Sequence, residues 1–141
     1  MNDPHDLQRF VAAQQPIYSR VLEELRAGHK QSHWMWFIFP QIAGLGHSDM
    51  AQRYAITGAE EAAAYLDHSL LGPRLEECAE ALLAHAQQPV RQIMGSPDDL
   101  KLRSSMTLFA TVAPERAVFQ SVLNAFFDGQ PDAATLERLK R

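Results

Sequence analysis

Cysteine is almost missing: one thiol among 141 residues cannot close an internal disulfide, so the fold cannot rest on covalent staples. A strong excess of charge is missing too. Thirteen Lys and Arg stand against seventeen Asp and Glu, for a formal net charge of −4, which argues against broad phosphate-driven binding to nucleic acid or an anionic membrane face. Long apolar runs are lacking as well. The longest strongly apolar stretch, residues 34–39, is far too short to cross a bilayer, and no basic start precedes a signal-length apolar segment. A cytoplasmic protein is the expectation. No repeat, low-complexity tract or linker-length segment divides the chain, which leaves one domain over residues 1–141. With 46% hydrophobic and 21% charged residues, a chain of this length hides roughly 68% of its surface on folding, enough for a self-sufficient core.

Alternating β-branched runs are also scarce, and the punctuation that is present belongs to helices. Asp3 and Pro4 form a start signal for a first helix with Leu7, Phe10 and Val11 on its apolar stripe, and Pro16 ends it. A second helix over 17–27 carries Ile17, Val21, Leu22 and Leu25 and stops at Gly28. Ser48 caps a short helix through Tyr54, and Thr57 with Glu60 reads as a capping box for the next. The longest helix should run over residues 70–87, with Pro73 in its first turn and Leu71, Leu75, Cys78 and Leu82 on one face. That places Cys78 in the core, where a thiol has no base to activate it. Ser96, Pro97 and Asp99 start a helix that persists to about Val112. A helix from Pro114 buries Val118, Val122, Leu123, Phe126 and Phe127 and ends at Gly129, and Asp132 caps a final one bearing Leu136 and Leu139. The pattern predicts an all-α, compact single-domain bundle of about seven or eight helices, several of them short.

Two stretches carry the polar chemistry. Ser32-His33-Trp34-Met35-Trp36-Phe37-Ile38-Phe39-Pro40-Gln41 holds both tryptophans. It reads either as a buried aromatic hub or as a ring-lined pocket in which an indole stacks on a planar ligand, with Ser32, His33 and Gln41 at its mouth. His29 and His33 have a metal-ligand spacing, but no HExxH pattern, paired cysteine or acidic third ligand accompanies them, and neither metal nor cofactor is expected. The second stretch, residues 96–109, is unusually rich in hydroxyls for a mid-domain helix. Lys101 and Ser105, four apart, share one side, and Arg103 projects elsewhere. A basic group beside hydroxyls can hold a carboxylate or phosphate; the structural alternative is that Arg103 pairs with an acid and the serines bond to carbonyls one turn back.

In these motifs, SHWMWFIFPQ and DDLKLRSSMTLF, the chain resembles the bacterial domain of unknown function family 1810, and DLQRFVAAQ, MAQRYAI, LLGPRLEEC and FFDGQPDAATL extend the likeness over nearly all of it. The resemblance implies a mainly helical single domain and supplies no activity. A fainter similarity of organisation links it to the NADAR family of ADP-ribose glycosidases, which suggests a ligand class and carries no catalytic residue over.

The expectation is therefore a small-ligand-binding domain in which the aromatic stretch and the Lys101 helix face each other across a pocket for a small anionic ligand, nucleotide-like in the leading version. Trp34 or Trp36 would stack on its planar part, Lys101 and Arg103 would neutralise charge, and Ser32, Ser105 and Gln41 would orient it. Should the site be hydrolytic, His33 is the group able to act as general acid or base. The alternative is a non-catalytic interaction module whose exposed aromatics form a hot spot for a protein partner.

Overall fold

The helix spanning Asp98–Val112 is the longest in the molecule and the one around which the others pack. The computed structural model describes residues 3–140. Among them are ten helices: α1 (Gln8–Gln14), α2 (Tyr18–Arg26), α3 (Met35–Ile38), α4 (Asp49–Arg53), α5 (Ala59–Asp67), α6 (Leu71–Leu83), α7 (Val90–Met94), α8 (Asp98–Val112), α9 (Ala117–Phe127) and α10 (Ala133–Leu139). The single extended pairing among the described residues is an isolated parallel bridge between Ile42 and Ile56. All-helical architecture is as expected, but ten helices replace seven or eight. The two additional ones, α3 and α7, are four and five residues long, too short for a 3.6-residue apolar period to register.

Several boundaries also differ, each for a local reason. Asp3 does cap, accepting the Leu7 and Gln8 amides, but residues 3–6 first form a tight turn with Asp6 at φ 50°, so α1 begins at Gln8. Gly58, not Thr57, is the N-cap of α5, and Glu61 rather than Glu60 accepts from the Thr57 amide and hydroxyl. Helix α6 ends at Leu83 instead of 87 because the chain turns back there, and His85 Nε2 meets the Arg26 carbonyl at 2.8 Å. No side chain among the described residues caps α8, whose N-cap is Pro97, and α9 starts three residues after Pro114. Ser48 and Asp132 cap α4 and α10 as expected.

The core is threaded by aromatic rings from distant parts of the chain. Phe37 touches Tyr54, Tyr54 touches Phe10, Phe10 meets Tyr65 edge-on at 5.1 Å, and Tyr65, Phe109 and Phe119 continue the series. Each such pair adds about 0.5–1.5 kcal/mol beyond the area it hides. Helices α5 and α6 approach so closely that a Cβ at Gly72 would stand 2.1 Å from the Leu66 carbonyl oxygen, which only glycine avoids.

Helix α8 is buried nearly all round. The expected stripe of Leu102, Met106 and Phe109 is fully buried, but so are Ser105, Thr107 and Leu108, because α5, α7, α9 and α10 cover it from different sides. Its hydroxyls turn inward. Ser104 donates to the Leu100 carbonyl, and Thr107 donates to that of Arg103 while accepting the Asp132 amide at 2.9 Å. The structural reading of that serine-rich stretch is the one realised for these two residues.

Candidate functional site

The aromatic segment is held in place by residues outside it. Glu24 is on the buried face of α2, and one carboxylate oxygen accepts from the Gln31 amide (2.8 Å), the Ser32 amide (3.1 Å) and Trp34 Nε1 (2.9 Å). The other accepts from the Ser32 hydroxyl and lies 3.3 Å from Arg20 Nε. Burial alone would raise its pKa, but these donors outweigh burial and bring it down to about 2. An ionised Glu24 thus fixes Ser32 and Trp34 in one arrangement. Lys30 braces the same loop from the opposite direction, donating to the Ser32 carbonyl at 2.6 Å and pairing with Asp98 at 2.9 Å, with its ammonium 4.8 Å from the centre of the Trp34 ring. Farther along, Gln14 donates to the Phe37 carbonyl at 2.7 Å and to Tyr65 at 3.2 Å, which anchors the end of α3.

The two sequence motifs meet on the surface. Lys101, on the first turns of α8, carries its ammonium 5.7 Å from the Trp36 ring centre and 3.9 Å from Asp98. Asp98 therefore serves both lysines, one oxygen each. Trp36 is half-buried and Trp34 is completely buried, so of the two indoles only Trp36 keeps some contact with solvent.

The remaining expected site residues divide sharply. His33 is exposed, and Gln41 is half-buried with its carbonyl taken by the Ile56 amide. Arg103 projects to the other side of α8 from Lys101, where it donates to the carbonyls of Gln130 and Pro131 and ties the α9–α10 turn to α8. Ser105 is wholly buried, and its hydroxyl has no partner among the described residues. Ser32 spends its hydroxyl on Glu24. Among the described residues no three His, Cys, Asp or Glu side chains gather as a metal site would require. Cys78 is buried as expected, and burial pushes its thiol up to about 12, the state of an inert core cysteine.

Three residues that matter here escaped the sequence reading, and one signal would have found them. Gln14 continues the α1 stripe of Leu7 and Phe10, Glu24 the α2 stripe of Ile17 and Val21, and Glu61 the face of Ala62 and Tyr65. A polar side chain on an apolar stripe is a buried one, and a buried one needs partners. Glu61 finds Arg9 at 2.9 Å, and that guanidinium also donates to the carbonyls of His5, Asp6, Arg53 and Ala55.

Hollows of about 490, 540 and 310 Å³ mark the surface, and Trp36, Gln41 and Lys101 line none of the three. The first of them borders Glu24 and is walled by Ser19, Arg20, Glu23, His29 and Gln31. No helix in the described residues is long and apolar enough to cross a membrane.

Fold and site together define an all-helical domain built on an aromatic hub, with one indole and one ammonium paired at its surface. The chain belongs to the family described as Protein of unknown function (DUF1810), which it matches over residues 4–139. It is similar to the crystal structure of the conserved hypothetical protein Rv1873 from Mycobacterium tuberculosis, with 51% identity, a TM-score of 0.94 and 99% of each chain covered. No curated protein matches it.

Proposed function

We propose that the protein binds a small anionic ligand with a planar part at the surface where Trp36 and Lys101 meet. The observation that carries this reading is that the Lys101 ammonium stands over a partly exposed indole, 5.7 Å from its centre, although the two residues come from the two separate motifs. An indole face accepts a planar group and an adjacent ammonium accepts the charge. The contact to Asp98 is loose at 3.9 Å, and an incoming anion can compete with it. Trp34, Ser105 and Arg103 drop out as ligand contacts because burial or carbonyl bonding occupies them. His33 and Gln41 remain as polar groups for the rim, and His33 is the general acid or base if the bound ligand is hydrolysed.

A thermal-shift screen of nucleotides, ADP-ribose and small organic acids tests the proposal. A ligand at one hundred times its dissociation constant stabilises the fold by about 2.7 kcal/mol, and Trp36→Ala and Lys101→Ala should each remove that gain. No shift from any compound, or a shift that both variants retain, would refute it.

One observation favours a second reading, an interaction surface for another protein. Leu100, the residue before Lys101, is the large hydrophobic side chain left most exposed, at 57%, and an exposed apolar side chain is the kind of group around which a contact patch forms. Loss of partner binding in Leu100→Ser with ligand response unchanged would select this reading over the first.

A further inference from the structure

The hollow of about 490 Å³ beside α2 holds charged groups that nothing above has used. Arg20 and Glu23 are three apart on α2, on neighbouring positions of one helix face, and both line this space. Arg20 is largely exposed, but its Nε is drawn to Glu24 at 3.3 Å. That ion pair leaves the two terminal nitrogens with no protein partner among the described residues. They form the fork that grips a carboxylate end-on. Glu23 is exposed and its carboxylate is likewise unpaired among the described residues. Across the hollow, Gln31 Nε2 lies 3.4 Å from His29 Nδ1, and donation in that direction leaves the His29 Nε2–H facing away from Gln31. Ser19 adds a hydroxyl.

Charge decides what such a place can hold. One guanidinium stands against the two carboxylates of Glu23 and Glu24, so a simple anion such as phosphate meets repulsion from Glu23, and a simple amine meets Arg20. A molecule carrying both charges a few bonds apart satisfies both residues at once. We infer that this hollow is a binding site for an α-amino acid, with the ligand carboxylate on the Arg20 fork and its ammonium on Glu23. Ser19, His29 and Gln31 supply the polar groups that meet its side chain. Neither Trp36 nor Lys101 lines this hollow, so the site stands or falls independently of the function proposed there.

Backbone amide NMR tests it with the common L-amino acids added one at a time at millimolar concentration. At least one should shift the Ser19, Glu23, His29 and Gln31 amides while leaving the Trp36 indole signal in place. The corresponding acid without the amino group, and the corresponding amine without the carboxylate, should each bind about tenfold more weakly or worse. Arg20→Gln should abolish the response to the acid and Glu23→Gln the response to the amine; both residues are at the surface, so either variant retains the fold. If no amino acid moves these amides, or if the acid or the amine alone matches the intact molecule, the inference is overturned.

Discussion

The two tryptophans have the same kind of partner and opposite environments. Each ring has a lysine ammonium over it, at 4.8 Å for Trp34 and 5.7 Å for Trp36, and both lysines share the Asp98 carboxylate. Around Trp34 everything is saturated: the ring is buried, its Nε1 is bonded to Glu24, and Lys30 is only 7% exposed. Around Trp36 the ring is half-buried, Lys101 is 27% exposed, and its distance to Asp98 is a full ångström longer. A cation over an indole is thus a sealed packing device where water is excluded and a looser, partly solvated pair where it is not. The surrounding donors and acceptors decide which, not the pair itself.

The sharpest way to break this comparison is to truncate each ring. Trp34→Ala should cost about 3–5 kcal/mol of stability, as removal of a fully buried large aromatic does, and it also leaves Glu24 short of a donor. Trp36→Ala should cost less, about 1–2.5 kcal/mol, since part of that ring is already in solvent and the rest packs on the core. Equal losses in urea unfolding would show that the two environments do not differ as described.

The next largest effect lies with the carboxylate that orders the inner pair. Glu24 has a folded-state pKa of about 2 against an ordinary value of 4.5. Because the folded value is depressed, its stabilisation is present above about pH 4.5 and lost as pH falls from there towards 2. With partial solvent screening the loss is of order 1–3 kcal/mol. Denaturant titrations between neutral pH and pH 2 should show a steeper decline in the wild type than in Glu24→Gln, which starts less stable but has no charge to lose at this position. Parallel curves would mean that the ionised carboxylate is not what holds Ser32 and Trp34.

Smaller again is the difference between the lysines. Lys30→Met removes the close partner of Asp98 from a nearly dry setting and should cost about 2 kcal/mol, whereas Lys101→Met removes a looser and wetter contact worth no more than about 0.5 kcal/mol. A thermal melt of each variant separates these. At the bottom of the scale, Leu100→Ser should change stability by less than about 0.5 kcal/mol, since the side chain is mostly in solvent.

The parts of this picture that were legible in the sequence are the ones written locally. Apolar stripes placed Leu75, Cys78, Leu82, Leu102, Met106 and Phe109 in the core correctly, and Ser48 and Asp132 announced their helices. The aromatic segment allowed two readings, and the buried hub is realised by Trp34, Phe37 and Phe39, while Trp36 beside them is only partly buried. What could not be read depends on partners far along the chain. Arg103 pairs with carbonyls near residue 130 and, among the described residues, not with an acid, Ser105 is enclosed because four helices surround α8, and nothing local told which donors Glu24 would collect from residues 31–34. Its place on an apolar stripe was the available clue. The turns α3 and α7 have no period to detect and are fixed by their neighbours.

The most direct test of the central claim follows the two indole N–H signals by NMR while ADP-ribose and the nucleotides are titrated in. The account predicts that the Trp36 signal moves and saturates, that the Trp34 signal stays where it is, and that Lys101→Met abolishes the movement. If the Trp34 signal moves instead, or if neither indole responds to any of these compounds, the assignment of the outer pair as the ligand surface is contradicted.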